Sequence, residues 1–234
     1  QAIDSVGSQA PSGNLKIPKL VANNKFNKEK AYFIYSFCRD VNCNSPVALI
    51  AGNQDQVTIF EDFKNTDTLR HFFNNSNLIG YDVKKSIKIL FRLGIEGLTV
   101  GHDVMVANFL IDSLDKNSTL TDLSLDSLNY SLPNEADIPP EDIGLYAAEF
   151  IGVLQALYSK QVSELSKKPS LLSLAQNIEW PVIPVIARME LKGIRVSKNT
   201  LVVINRQLED YISDLEQTIY GYAEQEFNIA SPQQ

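Results

Sequence analysis

The residues best placed to do chemistry stand at the end of the run Ala31–Cys38, which reads AYFIYSFC. A short, almost continuously apolar segment is the signature of a strand buried on both faces, and the central strand of an α/β domain delivers its reactive groups at its C-terminal end. Here that end supplies Ser36, Phe37 and Cys38, and the first carboxylate is Asp40. Hydroxyl and thiol are poor ligands for a hard cation, which takes anionic oxygen. The histidines, His71 and His102, lie far apart and lack the spacing of a zinc site. Cys38 and Cys43 are the only cysteines, and their scarcity predicts two reduced thiols of an intracellular protein, with Cys38 packed in the core.

The elements that must hold these residues follow from pattern. Val47–Ala51 and Val57–Phe60 continue the first strand as an antiparallel meander, joined by turns rich in Asn and Gly. A short helix is predicted over Asp67–Phe73, capped by Thr66 or Asp67. Then come a strand at Leu78–Tyr81, a helix over Val83–Leu93 closed by Gly94, and a strand at Leu98–Val100. Asp103 caps a helix to about Leu114, and residues 118–140 read as loop with helical turns near Leu120–Leu128. Pro139-Pro140 announces a long helix from Ile143 to about Leu165. Three antiparallel strands followed by strand–helix–strand–helix and a long helix predict an α/β domain of ribonuclease H-like type, a mixed sheet flanked by helices. Residues 1–30 read as a linker with one apolar patch at Ile17–Val21.

Beyond Lys167–Pro169 the character changes to helices. One runs from about Asn177 to Lys192, with Trp180 as a buried hinge and Gly193 as its stop. The next, capped by Ser197 or Asn199, carries Leu201, Ile204, Leu208, Tyr211, Leu215, Ile219 and Tyr222 at spacings of three and four, a helix–helix packing seam. The net charge of −7 and pI near 4.9 argue against a dedicated nucleic-acid binder, whose affinity would rest on phosphate contacts. Only Lys84-Lys85-Lys88 and Lys167-Lys168 form basic clusters. No apolar run approaches the roughly 20 residues of a membrane helix, and no signal peptide is evident at the start. The N-terminal Gln points to a fragment or an engineered start.

The last sixty residues are the most specific. Ile178-Glu179-Trp180-Pro181-Val182-Ile183-Pro184-Val185, then Arg188-Met189-Glu190, Gly193-Ile194-Arg195-Val196 and Glu226-Phe227-Asn228-Ile229-Ala230-Ser231-Pro232 resemble, in order and spacing, the entry into the thumb of the bacterial DNA polymerase I family. The preceding residues then resemble that family's 3′–5′ exonuclease domain: Gly80–Leu90 its second block, Gly101–Met105 a neighbouring segment, and Tyr146-Ala147-Ala148-Glu149 its third block. The resemblance divides the chain into a linker over 1–30, an exonuclease-like domain over 31–174, and the opening of the polymerase domain, a helical hairpin of the thumb, over 175–234.

Active relatives hold two metal ions with four carboxylates. The resemblance puts Ser36, Cys38, Ser86 and Phe150 at those positions, so none of the ligands is kept; Tyr146, the water-orienting residue, remains. A displaced site would have to use Asp40, Asp82, Asp103 or Glu149. Asp82 lies four residues before Ser86, whereas Asp103 suits a helix cap and Glu149 lies about 100° around the helix from residue 150. The implied function is a fragment of DNA polymerase I, an enzyme of replication and repair, with a degenerate exonuclease domain of structural role. No cofactor is expected in this chain, Mg²⁺ serves the parent polymerase, DNA is reached through the parent, and the place is the cytoplasm, with the nucleoid. The alternatives are a single-stranded DNA module stacking bases on Tyr35, Phe37 and Phe150, and an exonuclease with relocated ligands.

Overall fold

In the computed structural model, which describes residues 15–23, 26, 31–40, 42–114 and 119–231, the strands form a six-stranded mixed sheet in the order β1-β4-β3-β2-β5-β6. The centre is β2 (Ala31–Cys38), antiparallel to β3 (Pro46–Gly52) and parallel to β5 (Asn77–Gly80). Antiparallel β4 (Gln56–Phe60) completes the predicted meander. Its tight turn is drawn by Asn53, whose side-chain oxygen accepts from the Asp55 and Gln56 N–H groups at 3.1 and 2.9 Å. β1 (Lys19–Leu20) pairs in parallel with the β4 edge, so the apolar patch of the predicted linker is a strand. Residues 1–14 of that linker, with 24, 25 and 27–30, lie outside the described residues, as do 118 of the predicted loop and 41, 115–117 and 232–234. β6 (Thr99–Asp103) closes the other edge.

Alternation along β2 divides the interior in two. Tyr32 and Ile34 join a core built with α1 (Thr66–Phe73), α2 (Val83–Arg92) and α7 (Trp180–Lys192). Phe33, Tyr35 and Phe37 face a second core filled by α5 (Ile143–Ser166) and α4 (Leu120–Leu128). A sheet buried on both faces explains why β2 carries no polar stripe. Gly80 is required where β5 meets β2, since a Cβ there would lie 2.3 Å from the Ile34 carbonyl oxygen. Gly94 takes φ +72° just past α2.

Several boundaries differ from the expectation. Asn65, rather than Thr66 or Asp67, caps α1, its side chain accepting from Thr68 N–H at 3.3 Å. α3 (Val104–Ile111) ends short of Leu114. α6 (Pro169–Leu174) runs through a π turn over Ala175–Glu179 into α7, which contains Pro184. A proline there frees the carbonyl of Trp180 four residues back, and wide turns commonly accompany such breaks. Trp180 is buried in α7, and that helix belongs to the first compact unit, residues 1–192. α7 packs on α2 and β6 within that unit.

Residues 193–234 form the second unit. Its α8 (Lys198–Ala223) is capped by Ser197, as expected, and closes at Glu224 in the left-handed region. No residue of α8 is buried, and the seam Leu201, Ile204, Leu208, Tyr211, Leu215, Ile219 is exposed with Tyr222. Tyr220 donates to the Phe227 carbonyl at 3.1 Å and folds the tail back.

Candidate functional site

At the end of β2 the expected cluster of degenerate positions is not drawn to one face. Phe150, buried on α5, packs its ring on Tyr35 and Phe37, each with centroids 5.0 Å away. Those two alternate with Ser36 and Cys38, and Cys38 packs against the opposite core. The ladder is irregular at this point, where the partner on β3 jumps from Ala48 (opposite Phe37) to Pro46 (opposite Cys38). Ser36 and Ser86 are buried at 5% and 1% exposure. Tyr146 is half-buried against the α5-side core. Tyr35, Phe37 and Phe150 are all buried and packed on one another at tilted and edge-on angles, so the base-stacking platform expected of them is not a surface.

Cys38 and Cys43 are joined as a disulfide, with Cα atoms 5.1 Å apart, which corrects the expectation of two reduced thiols. Cys38 is half-buried rather than a core residue, while Cys43 is fully buried. The signal was present only as two cysteines five apart flanking a turn, and spacing alone does not fix pairing.

The four acidic candidates are engaged separately. Asp40 accepts from the Asn44 and Ser45 N–H groups at 3.0 and 2.8 Å, and those bonds, Asn44's foremost, hold its carboxyl below the usual range. Asp82, at φ 46° ahead of α2, pairs with Lys85 at 3.2 Å. Glu149 accepts from the Tyr130 hydroxyl. Asp103 is buried between two helix N-termini: one oxygen accepts from Met105 and Val106 at 3.0 and 3.3 Å, the other from Val83 of α2 at 2.8 Å. Burial pushes its carboxyl up to about 6, against the opposing pull of those donors.

Glu135 is a site residue that carries no local signal in the sequence. It lies in a short 3-10 turn over Glu135–Asp137, within the stretch read as loop. Its carboxylate accepts from the Tyr35 hydroxyl at 2.7 Å and from the Cys38 N–H at 2.8 Å, closing the end of β2. Burial first, then this carboxylate, raise the Tyr35 hydroxyl well above its ordinary value. Reach across about a hundred residues carries no local pattern, so nothing in the sequence singles it out.

His102 is buried beside Trp180, ring centroids 4.9 Å apart, and its Nε2 meets the Gln161 side-chain oxygen at 2.8 Å. His71 is exposed on α1. α7 is held to α2 by Glu190, which takes Lys84 at 2.7 Å and Lys88 at 2.9 Å. Arg188 adds a cation–π contact over Phe91 at 4.2 Å and pairs with Glu96.

A hydroxyl pair, a disulfide sulfur and a phenyl ring offer no anionic oxygen, so these four side chains do not suit a hard divalent cation. Among the described residues no three of the His, Cys, Asp and Glu side chains are grouped as a metal would need. No helix among them is long and apolar enough to cross a membrane.

The mixed sheet flanked by helices is that of a ribonuclease H-like α/β domain. Solved structures share it: the POL domain of Pol1 from M. smegmatis in complex with DNA primer-template and dNTP aligns with TM-score 0.66 at 20% identity, over 86% of this chain and 35% of that one. Brucella melitensis NrnC aligns with TM-score 0.59 at 12% identity, over 76% of this chain and 95% of that one. No family model matches the chain. Among curated proteins, DNA polymerase I of Lactococcus lactis subsp. lactis is 31% identical over 221 residues, 90% of this chain and 24% of its own length. That of Pseudomonas aeruginosa is 31% identical over 173 residues, 67% of this chain and 19% of its own. The chain is a homologue of a segment of bacterial DNA polymerase I, spanning about a quarter of the length of the relatives it matches.

Proposed function

We propose that this chain is the degenerate 3′–5′ exonuclease domain and the opening of the thumb of a DNA polymerase I, serving as structural support without proofreading. The observation that carries the reading is Phe150, buried against Tyr35 and Phe37 at the position where a metal-binding carboxylate is required. An aromatic cluster of this kind stabilises the domain, and a phenyl ring there offers a hard cation no anionic oxygen. The parent would be a template-directed, Mg²⁺-dependent nucleotidyltransferase of replication and repair, meeting DNA through its polymerase domain in the cytoplasm, with the nucleoid. The resemblance of Ile178–Pro232 to the thumb entry supports that placement, and Glu190 fixes α7 to α2 within residues 1–192.

The test is incubation of the purified chain with 3′-labelled single-stranded DNA in Mg²⁺ and then Mn²⁺, alongside Tyr146→Ala. The expected outcome is no loss of the 3′ end above background with either metal. Metal-dependent loss that Tyr146→Ala abolishes would show that other ligands have replaced the lost ones and would end this reading.

A further inference from the structure

Cys38 and Cys43 are the chain's only cysteines, and the turn after β2 brings them together by means that do not depend on sulfur. The Cys43 N–H donates to the Asp40 carbonyl at 2.9 Å, and the Asp40 carboxylate takes the next two N–H groups. Arg92, at the end of α2, donates to the Cys43 carbonyl and to the Asn44 side-chain oxygen, the latter at 2.7 Å. Cys43 itself sits at φ 53°, a left-handed conformation these bonds hold in place. With Cα atoms 5.1 Å apart, inside the range that a disulfide spans, opening the bond leaves the two sulfurs within reach of each other.

The pair is also asymmetric. Cys43 is fully buried in the core with α2, whereas Cys38 is half-buried at the strand end. Cys38 is therefore the more accessible of the two to an external sulfur, and access decides which sulfur is attacked. We propose that Cys38–Cys43 is a reversible thiol–disulfide site whose co-reactant is a low-molecular-weight thiol–disulfide couple, entering at Cys38.

In the oxidising direction the Cys38 thiolate attacks one sulfur of the small disulfide RSSR, forming a mixed disulfide and expelling RS⁻. The Cys43 thiolate then attacks the Cys38 sulfur and expels the second RS⁻. The two protons lost by the cysteines end on the two RSH, and the two electrons lost by the protein reduce RSSR. Reduction is the reverse, with RS⁻ attacking Cys38 and Cys43 leaving. The closed bond ties the end of β2, whose Cys38 N–H is held by Glu135, to the turn that Arg92 anchors on α2. Cys38 is also one of the four degenerate positions, but thiol–disulfide exchange needs no metal, so the proposal does not depend on whether the chain cleaves DNA.

The chain equilibrated in mixtures of reduced and oxidised glutathione, acid-quenched, alkylated and weighed by mass spectrometry tests this. The expected result is loss of both thiols together as oxidised glutathione rises, and their return as reduced glutathione rises. Native Cys43→Ser should take one glutathione at Cys38, while native Cys38→Ser reacts far more slowly. Closing so short a loop should raise the melting midpoint of the oxidised chain by about 5 °C, a shift both serine variants lack. Thiols that stay free in excess oxidised glutathione, a bond that survives excess reduced glutathione, or a Cys38→Ser chain that reacts as fast as Cys43→Ser would each overturn the proposal.

Discussion

His102 and Asp103 adjoin in sequence and are both buried, yet burial gives them opposite pH dependences. Asp103 holds its proton in the fold up to about pH 6, where the unfolded carboxyl releases it near 3.8. Its contribution favours the fold below about pH 4 and is lost as pH rises through 6. His102 is pushed below its ordinary 6.5 by burial, so its contribution is present above that pH and is lost as pH falls. Urea unfolding of variants across pH 4 to 7 separates the two. Relative to wild type, His102→Gln should gain stability as pH falls and Asp103→Asn should lose it; equal slopes would refute both assignments. Asp103→Asn should in addition cost about 2 kcal/mol at pH 7, since an amide has one acceptor oxygen and leaves one of the two helix ends without its partner. At Phe150 the expectation concerns chemistry as well as stability. Phe150→Asp places a carboxylate among buried aromatic rings, and should cost about 4 kcal/mol without producing metal-dependent DNA cleavage. A stable, cleaving Phe150→Asp would mean that the remaining ligands are in place. The capping role of Asp103 was legible in the sequence, because an Asp ahead of an apolar helix has few other uses. Its second bond, to Val83, was not, because that link depends on where β6 sets two helix ends side by side.

Elements were legible where a period is strong and weakly legible where the partner lies far along the chain. The β2–β4 meander, α2, α5 and α8 follow from apolar alternation, Gly94 and Ser197, all local signals. The strand β1 was hidden because two residues at a sheet edge carry no period. The docking of α7 was hidden for a different reason: the sequence shows its composition, and only the fold shows that Glu190 lands between Lys84 and Lys88. Lys88 is nearly buried while Glu190 is partly exposed, so the bridge is worth less than a fully buried pair. Glu190→Ala leaves that ammonium without its carboxylate and should cost about 1 kcal/mol. Hydrogen exchange gives the sharper readout, because the loss should appear as faster exchange along α7 with β2 and α5 unchanged. Exchange that rises uniformly, or not at all, would show that α7 is held by its apolar contacts alone, Trp180, Ile183 and Ala187 among them.

At the scale of the whole molecule, stability is distributed very unevenly. Residues 1–192 hold both apolar cores, while α8 in residues 193–234 has no buried residue. An isolated helix of 26 residues without a packed face is marginal in water, since most helical stability in proteins comes from tertiary burial. Opening free energies should therefore be near zero along α8 and approach the global value in β2 and α5. Limited trypsin digestion follows from this, because Lys192, Arg195, Lys198 and Arg206 offer cleavage points at the start of the second unit. The expected product is a resistant fragment ending near Lys192, formed long before any cut within α2 or α5. Its thermal midpoint should match that of the intact chain, because both apolar cores lie within residues 1–192 and α8 has no buried residue of its own. Were α8 instead as protected as α5, its exposed row from Leu201 to Ile219 would have to be buried in solution. The chain would then have to be associating through that row, and sedimentation at rising concentration would show it.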